Sequence, residues 1–183
     1  MALSATIFKI QLNIADTDRN YYGDHTLTIA RHPSETDERM MVRVLAFIRH
    51  AHERLQFSKG LCADDEPDLW QKSLDDAIEL WINVGLPDEK RLRKACARAA
   101  QVVVYAYGGR TADIWWQQNA DKLARFEHLR VFNLAKAATD ELAAMVERSM
   151  QLQCTLQDGQ VWINDGERTV EIVPQVCTLS AAY

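Results

Sequence analysis

No stretch of this 183-residue chain approaches the roughly 18 uninterrupted apolar residues that a membrane-spanning helix needs. The opening Met1 to Ile7 lacks the basic and apolar regions of a secretory leader, so neither secretion nor membrane insertion is signalled and the cytoplasm is the expected compartment. Cysteine is sparse. Cys62, Cys96, Cys154 and Cys177 lie far apart, with no Cys-x-x-Cys and no Cys/His cluster at zinc spacing, which leaves reduced thiols packed as small apolar side chains. His50 and His52, two apart on a helix, cannot share a metal, and His25, His32 and His128 have no partner at ligand spacing. The chain also lacks a Gly-rich phosphate loop, a G-x-S-x-G elbow and a Cys/His nucleophile pair, which argues against nucleotide-dependent and acyl-transfer chemistry. An excess of positive charge is missing too. A net charge of -5 with pI near 5.5 argues against a protein whose whole surface grips nucleic acid, and leaves room only for a local basic patch.

What is present is an ordinary globular composition, 48% hydrophobic and 26% charged, at a length suited to one domain. Thr6 to Ile14 alternates with period two, placing Phe8, Ile10, Leu12 and Ile14 on one face of a strand. A loop holding Asp16, Asp18 and Asp24 leads to a second strand, His25 to Arg31, and the two should form a hairpin; the glycine and closing glutamate of a calcium loop are misplaced there. Ser34 is positioned to cap a helix of about 20 residues, with Asp37 three residues on. Its apolar stripe is Met41, Val44, Leu45, Ile48 and Leu55, and Glu38 lies at the head of that stripe, leaning inward.

After a short strand at Phe57 to Leu61, the segment Cys62 to Trp70 is too acidic and Pro-broken for regular structure and reads as a loop. Ala77 to Val84 is a strong strand with Glu79, Trp81 and Asn83 on one face. A helix from Pro87 to Ala99, a strand at 102–107, a helix at 112–123, a strand at 129–134 and a helix at 137–148 continue the alternation, predicting an α/β sheet covered by helices. Trp115 and Trp116 read as core rather than as a base-stacking pair. Asp158-Gly159 and Asp165-Gly166 separate three strands into a C-terminal antiparallel meander.

Four features offer site chemistry: Glu38, the acidic stretch Asp64 to Asp68, the polar strand face from Glu79 to Asn83, and the basic run Lys90 to Lys94. Two or three carboxylates at a strand end are what magnesium takes, and a cation beside them would serve a phosphate. Each also has a plainer reading: an ion-paired Glu38, a solvated acidic loop, a solvated basic helix face.

The order helix, strand, acidic Pro/Asp loop, strand, helix resembles the PD-(D/E)XK nuclease core. More specifically, Ala30 to Arg39, Gly60 to Trp70 and Trp81 to Pro87 resemble the YaeQ family of small bacterial proteins, and the likeness covers the whole chain, 1–183, as one domain. The resemblance implies a variant nuclease-like fold and a magnesium-dependent site acting on a nucleic-acid phosphodiester. Carried over, Glu38 is the helix carboxylate and Asp65 the metal-binding aspartate of the loop. The family's strand acid falls on Asn83, and the lysine of the general nuclease pattern falls on Gly85. Glu79 is an alternative acid, with Trp81 then in the lysine slot, and Lys94 on the next helix is the candidate cation. An amide oxygen can ligate magnesium but brings no charge, so two readings stay open: a metal-dependent nuclease, or a non-catalytic binding or regulatory protein on the same scaffold.

Overall fold

The computed structural model describes residues 3–59 and 65–178. These residues form two mixed β-sheets and four helices, grouped into two compact units: residues 1–49 with 137–174, and residues 50–136 with 175–183.

The first unit is built on β1 (Thr6–Asp16) and β2 (Tyr21–Arg31), the expected hairpin. β1 alternates as the sequence predicts, with Phe8, Ile10, Leu12 and Ile14 all buried. Each such aliphatic side chain removed from water stabilises the unit by about 1.5–3 kcal/mol. The turn needs no metal. Asp16 accepts from the backbone and side chain of Arg19, Asp18 accepts from the amides of Asp158 and Gly159, and Asp24 accepts from Asn13.

α1 (Asp37–His50) is shorter than predicted, ending in the turn where Leu55 N–H bonds to the His52 carbonyl. Thr36, not Ser34, supplies the cap, its hydroxyl accepting from Arg39 N–H at 3.1 Å. Every residue from Met40 to Ile48 is buried, so the predicted stripe understates a helix enclosed around its whole circumference.

The C-terminal meander is present as β8 (Ser149–Gln157), β9 (Gln160–Asn164) and β10 (Thr169–Ile172). The turn from β8 to β9 has positive φ at both Asp158 and Gly159, the backbone an Asp-Gly hairpin requires. β8 then pairs in parallel with β1, giving the order β10-β9-β8-β1-β2. α4 (Lys136–Ala144) precedes β8 and is also shorter than expected.

The second unit has the order β11-β7-β6-β5-β4-β3: β3 (Leu55–Phe57), β4 (Leu69–Lys72), β5 (Ile78–Val84), β6 (Ala99–Ala106), β7 (Leu129–Asn133) and β11 (Gln175–Val176). β5, β6 and β7 run parallel, connected through α2 (Glu89–Arg98) and α3 (Arg110–Leu123). Leu92, Ala95 and Cys96 of α2 and Ala112, Trp115 and Leu123 of α3 pack in one cluster with Trp81, Val102, Val104 and Val131 of the sheet. Trp115 is therefore core, and its indole N–H donates to the Pro87 carbonyl at 2.9 Å.

A parallel sheet covered in this way buries both strand faces. That corrects one expectation: the face of β5 carrying Trp81 and Asn83 is not a wet polar face, since both residues are only 1% exposed. Trp70, assigned to the loop on sequence grounds, lies in β4 opposite Trp81, their rings meeting edge to face. Among the described residues no helix is long and apolar enough to cross a membrane, and Cys96, Cys154 and Cys177 are free thiols.

Candidate functional site

The acidic loop is described from Asp65 onward; Asp64 lies outside the described residues. The loop is held from two sides. From α2, Arg91 donates to the Glu66 carbonyl at 2.7 Å, Arg98 to the Asp65 carbonyl at 2.7 Å, and Lys94 Nζ to Asp65 Oδ1 at 3.5 Å. Positions 91, 94 and 98 follow helical i, i+3, i+7 spacing, so a single stripe of cations grips the loop. Lys94, the candidate cation of the sequence reading, thus lies within 3.5 Å of Asp65. The pair is open to water, with side chains 77% and 55% exposed, and such pairs contribute no more than about 1 kcal/mol.

From the sheet side, Asp68 does the holding. Its amide donates to the Ile82 carbonyl at 2.9 Å, its carboxylate accepts from Val84 N–H at 2.7 Å, and its carbonyl accepts from Ser58 N–H at 3.1 Å. Asp68, rather than Asp65, is therefore the loop carboxylate joined to β5, on either side of Asn83. The sequence showed four acids in the stretch but not which one turns toward the strand.

Among the described residues Asn83 has no hydrogen-bond partner at either Nδ2 or Oδ1, and Trp81 Nε1 beside it on the strand is likewise unpaired. A buried amide without partners costs about 1–3 kcal/mol, so its presence calls for a reason. The Arg98 guanidinium lies 5.2 Å from the centre of the Trp81 ring, extending the cation stripe to the edge of this pair.

Glu79 stands apart. It is ion-paired with Arg54 at 3.2 Å and accepts from Gln71 at 2.8 Å. Four residues of strand separate it from Asn83, about 13 Å, too far for the two to share an ion. Glu38 belongs to the first unit, where it is half-buried and accepts from the Thr139 hydroxyl at 2.7 Å, which satisfies its inward lean without a cation.

Among the described residues no three His, Cys, Asp or Glu side chains gather around a point where a metal ion could sit. The donors next to β5 are one carboxylate already bonded to a backbone amide and one neutral amide, short of the charge a hard cation takes. These residues do not by themselves compose a magnesium centre. At the two buried cysteines thiolate formation is disfavoured, because burial pushes the Cys96 thiol up to about 11 and that of Cys154 up to about 12.

One buried charged group escaped sequence reasoning. Glu35, 6% exposed, receives two bonds from Arg43 at 2.8 and 2.7 Å and a third from Arg39 at 3.0 Å. The signal was available: an arginine in the middle of an otherwise apolar helix must find a carboxylate.

The model of the family described as YaeQ protein matches residues 1–174. The YaeQ protein of Escherichia coli (strain K12) is 51% identical over 172 residues, covering 94% of this chain and 95% of that protein. Two crystal structures share the architecture. That of the YaeQ protein from Xanthomonas axonopodis pv. citri superposes with a TM-score of 0.93 at 45% identity, covering 97% of this chain and 100% of the other. That from Pseudomonas syringae gives 0.91 at 34% identity, covering 97% and 98%.

Proposed function

This chain belongs to the YaeQ family, and on that premise we propose that it is a non-catalytic nucleic-acid-binding or regulatory protein on a nuclease-like, PD-(D/E)XK-type scaffold. The observation that carries this reading is Asn83. At the strand position where the general nuclease pattern puts an acid, the chain has a buried, uncharged amide with no partner among the described residues, and Gly85 stands where the lysine belongs. An interior that leaves this group unpaired has lost the charge that would draw in a cation.

The binding surface in this reading is α2. Arg91, Lys94 and Arg98 are engaged with the acidic loop, whereas Lys90 and Arg93 are exposed and make no ion pair among the described residues. Two free cations on one helix would neutralise about two phosphates, so binding should be weak, with a log-log salt slope near about 2.

The test is fluorescence anisotropy with short labelled DNA and RNA, single- and double-stranded, in EDTA and then in magnesium. Binding that persists in EDTA and is lost in the Lys90→Glu, Arg93→Glu double variant supports the reading. Failure to bind any of the four sinks it. Magnesium-dependent cleavage abolished by Asp65→Ala or Asp68→Ala would replace it with the runner-up, a magnesium-dependent nuclease using Glu38, Asp65 and Lys94 with Glu79 or Asn83.

A further inference from the structure

The outer face of the five-stranded sheet in the first unit carries a concavity of about 560 Å³. Strand register builds its floor from rows of amides. Asp24, Asn13, Gln153 and Asn164 stand side by side across β2, β1, β8 and β9, and Thr26, Gln11 and Gln151 form the adjoining row. The loop at Asp165 and Gly166 closes one margin.

In the row on the other side of Asn13, Tyr22 and Trp162 flank the small residues Ala15 and Thr155. Tyr22 is 62% exposed and Trp162 half-buried, and three strand steps of about 4.8 Å set their strands about 14 Å apart. Two aromatic side chains thus stand three strands apart in the row beside the amide floor.

The chemistry of the lining selects a ligand. Each amide both donates and accepts, which suits hydroxyl groups. Asn13 is oriented by its bond to Asp24, and Asn164 by bonds to Thr169 and to Gly166 N–H, while the side chains of Gln11, Gln151 and Gln153 make no hydrogen bond among the described residues. No lysine or arginine lines the concavity, but Asp24 and Asp165 do. Backbone amides of Arg168 and Glu167 hold the Asp165 carboxyl below its usual range, where it also pairs with the Arg168 guanidinium at 3.4 Å, and burial lowers the His25 pKa, so the unneutralised charge of the lining at neutral pH is that of Asp24. A phosphate-bearing strand is repelled by that charge, which separates this face from the cationic helix of the second unit. An apolar ligand would strip water from amides it cannot satisfy.

We infer that this face binds a neutral oligosaccharide, its rings stacked on Tyr22 and Trp162 and its hydroxyls bonded by Gln11, Gln151, Gln153 and Asp24. The inference does not rest on the nucleic-acid reading.

The experiment is an NMR titration of the full ¹⁵N-labelled chain with cellohexaose, maltohexaose and chitohexaose, with single-stranded oligothymidylate as the anionic comparator. Expected are saturable shifts of the glutamine side-chain amides and the Trp162 indole with at least one sugar. Trp162→Ala and the Gln151→Ala, Gln153→Ala pair should each weaken binding by about tenfold without changing the melting temperature, the loss of one good contact being of that order. The Lys90→Glu, Arg93→Glu variant should bind sugar unchanged, so that failure of either reading is seen separately. Absence of saturable shifts at this face with all three sugars, or tighter binding of oligothymidylate there, overturns the inference.

Discussion

The two units treat a buried polar side chain in opposite ways. In the first, Arg43 and Glu35 are both buried and meet in a two-pronged ion pair, with Arg39 adding a third bond and Arg43 also reaching the Ala30 carbonyl. In the second, Asn83 is as deeply buried and its side chain has no partner among the described residues. A charge removed from water has to be matched, because leaving it unmatched costs several kcal/mol, whereas an orphaned amide costs little enough to be tolerated. Polar burial that is matched marks structure; polar burial left open marks a position whose former or present purpose lies outside packing.

The largest effect expected from this contrast is in Glu35→Ala. Leaving the Arg43 guanidinium buried without its carboxylate should cost about 3–5 kcal/mol in urea denaturation, while replacing Glu35 and Arg43 together by Met and Leu should cost far less. Thiol labelling adds a unit-by-unit readout, because burial keeps Cys154 of the first unit and Cys96 of the second unreactive in the native chain. With Cys62 and Cys177 replaced by serine, Glu35→Ala should speed labelling of Cys154 more than of Cys96. Equal acceleration would show that the units open together and break the comparison.

Asn83→Leu should move in the other direction. Removing an unpaired amide is expected to leave stability unchanged or raise it by about 1–2 kcal/mol, and a loss larger than about 2 kcal/mol would mean that the amide has a partner in solution. Asn83→Asp sharpens the point: a buried, unmatched carboxylate should destabilise, and recovery on adding magnesium would show that the position still accepts an ion.

The smallest effect is a pH dependence in the first unit. His25, bonded to Tyr21 at 2.5 Å and set edge-on against Phe47, has its pKa lowered by burial, with Asp24 opposing. The folded state therefore takes up the proton less readily than the unfolded chain. Its contribution is complete above the ordinary histidine value of about 6.5 and declines as pH falls below it. The urea midpoint should drop slightly between about pH 7.5 and pH 5.5, and His25→Gln should flatten that drop.

Legibility differed by element for physical reasons. The strict alternation of β1 and the Asp-Gly turn of the meander are local, and the structure reproduces both. The family likeness was legible as well, since long matches such as Ala30 to Arg39 need no fold to be recognised. Thr36 displaced Ser34 as the cap because two residues with the same hydroxyl compete locally and only the chain's path chooses between them. The polar face read for β5 is buried at Trp81 and Asn83 because alternation reports chemistry, not cover, and two helices turned that face into core.

At the candidate site the sequence located the acidic stretch and named Lys94, which the structure places 3.5 Å from Asp65, yet it could not rank the four acids. By itself, then, the sequence determined the α/β class, most of the strands and helices though not β4 or β11, the kinship and the residues with chemistry to offer, because each is written in periodicity or in near neighbours. Tertiary structure alone decided that Asp68 turns toward β5, that Glu79 is committed to Arg54, that Glu35 and Arg43 pair, and that Asn83 is buried without a partner. Those outcomes depend on which side chains distant in sequence are brought together and which are sealed from water, and no local pattern encodes either.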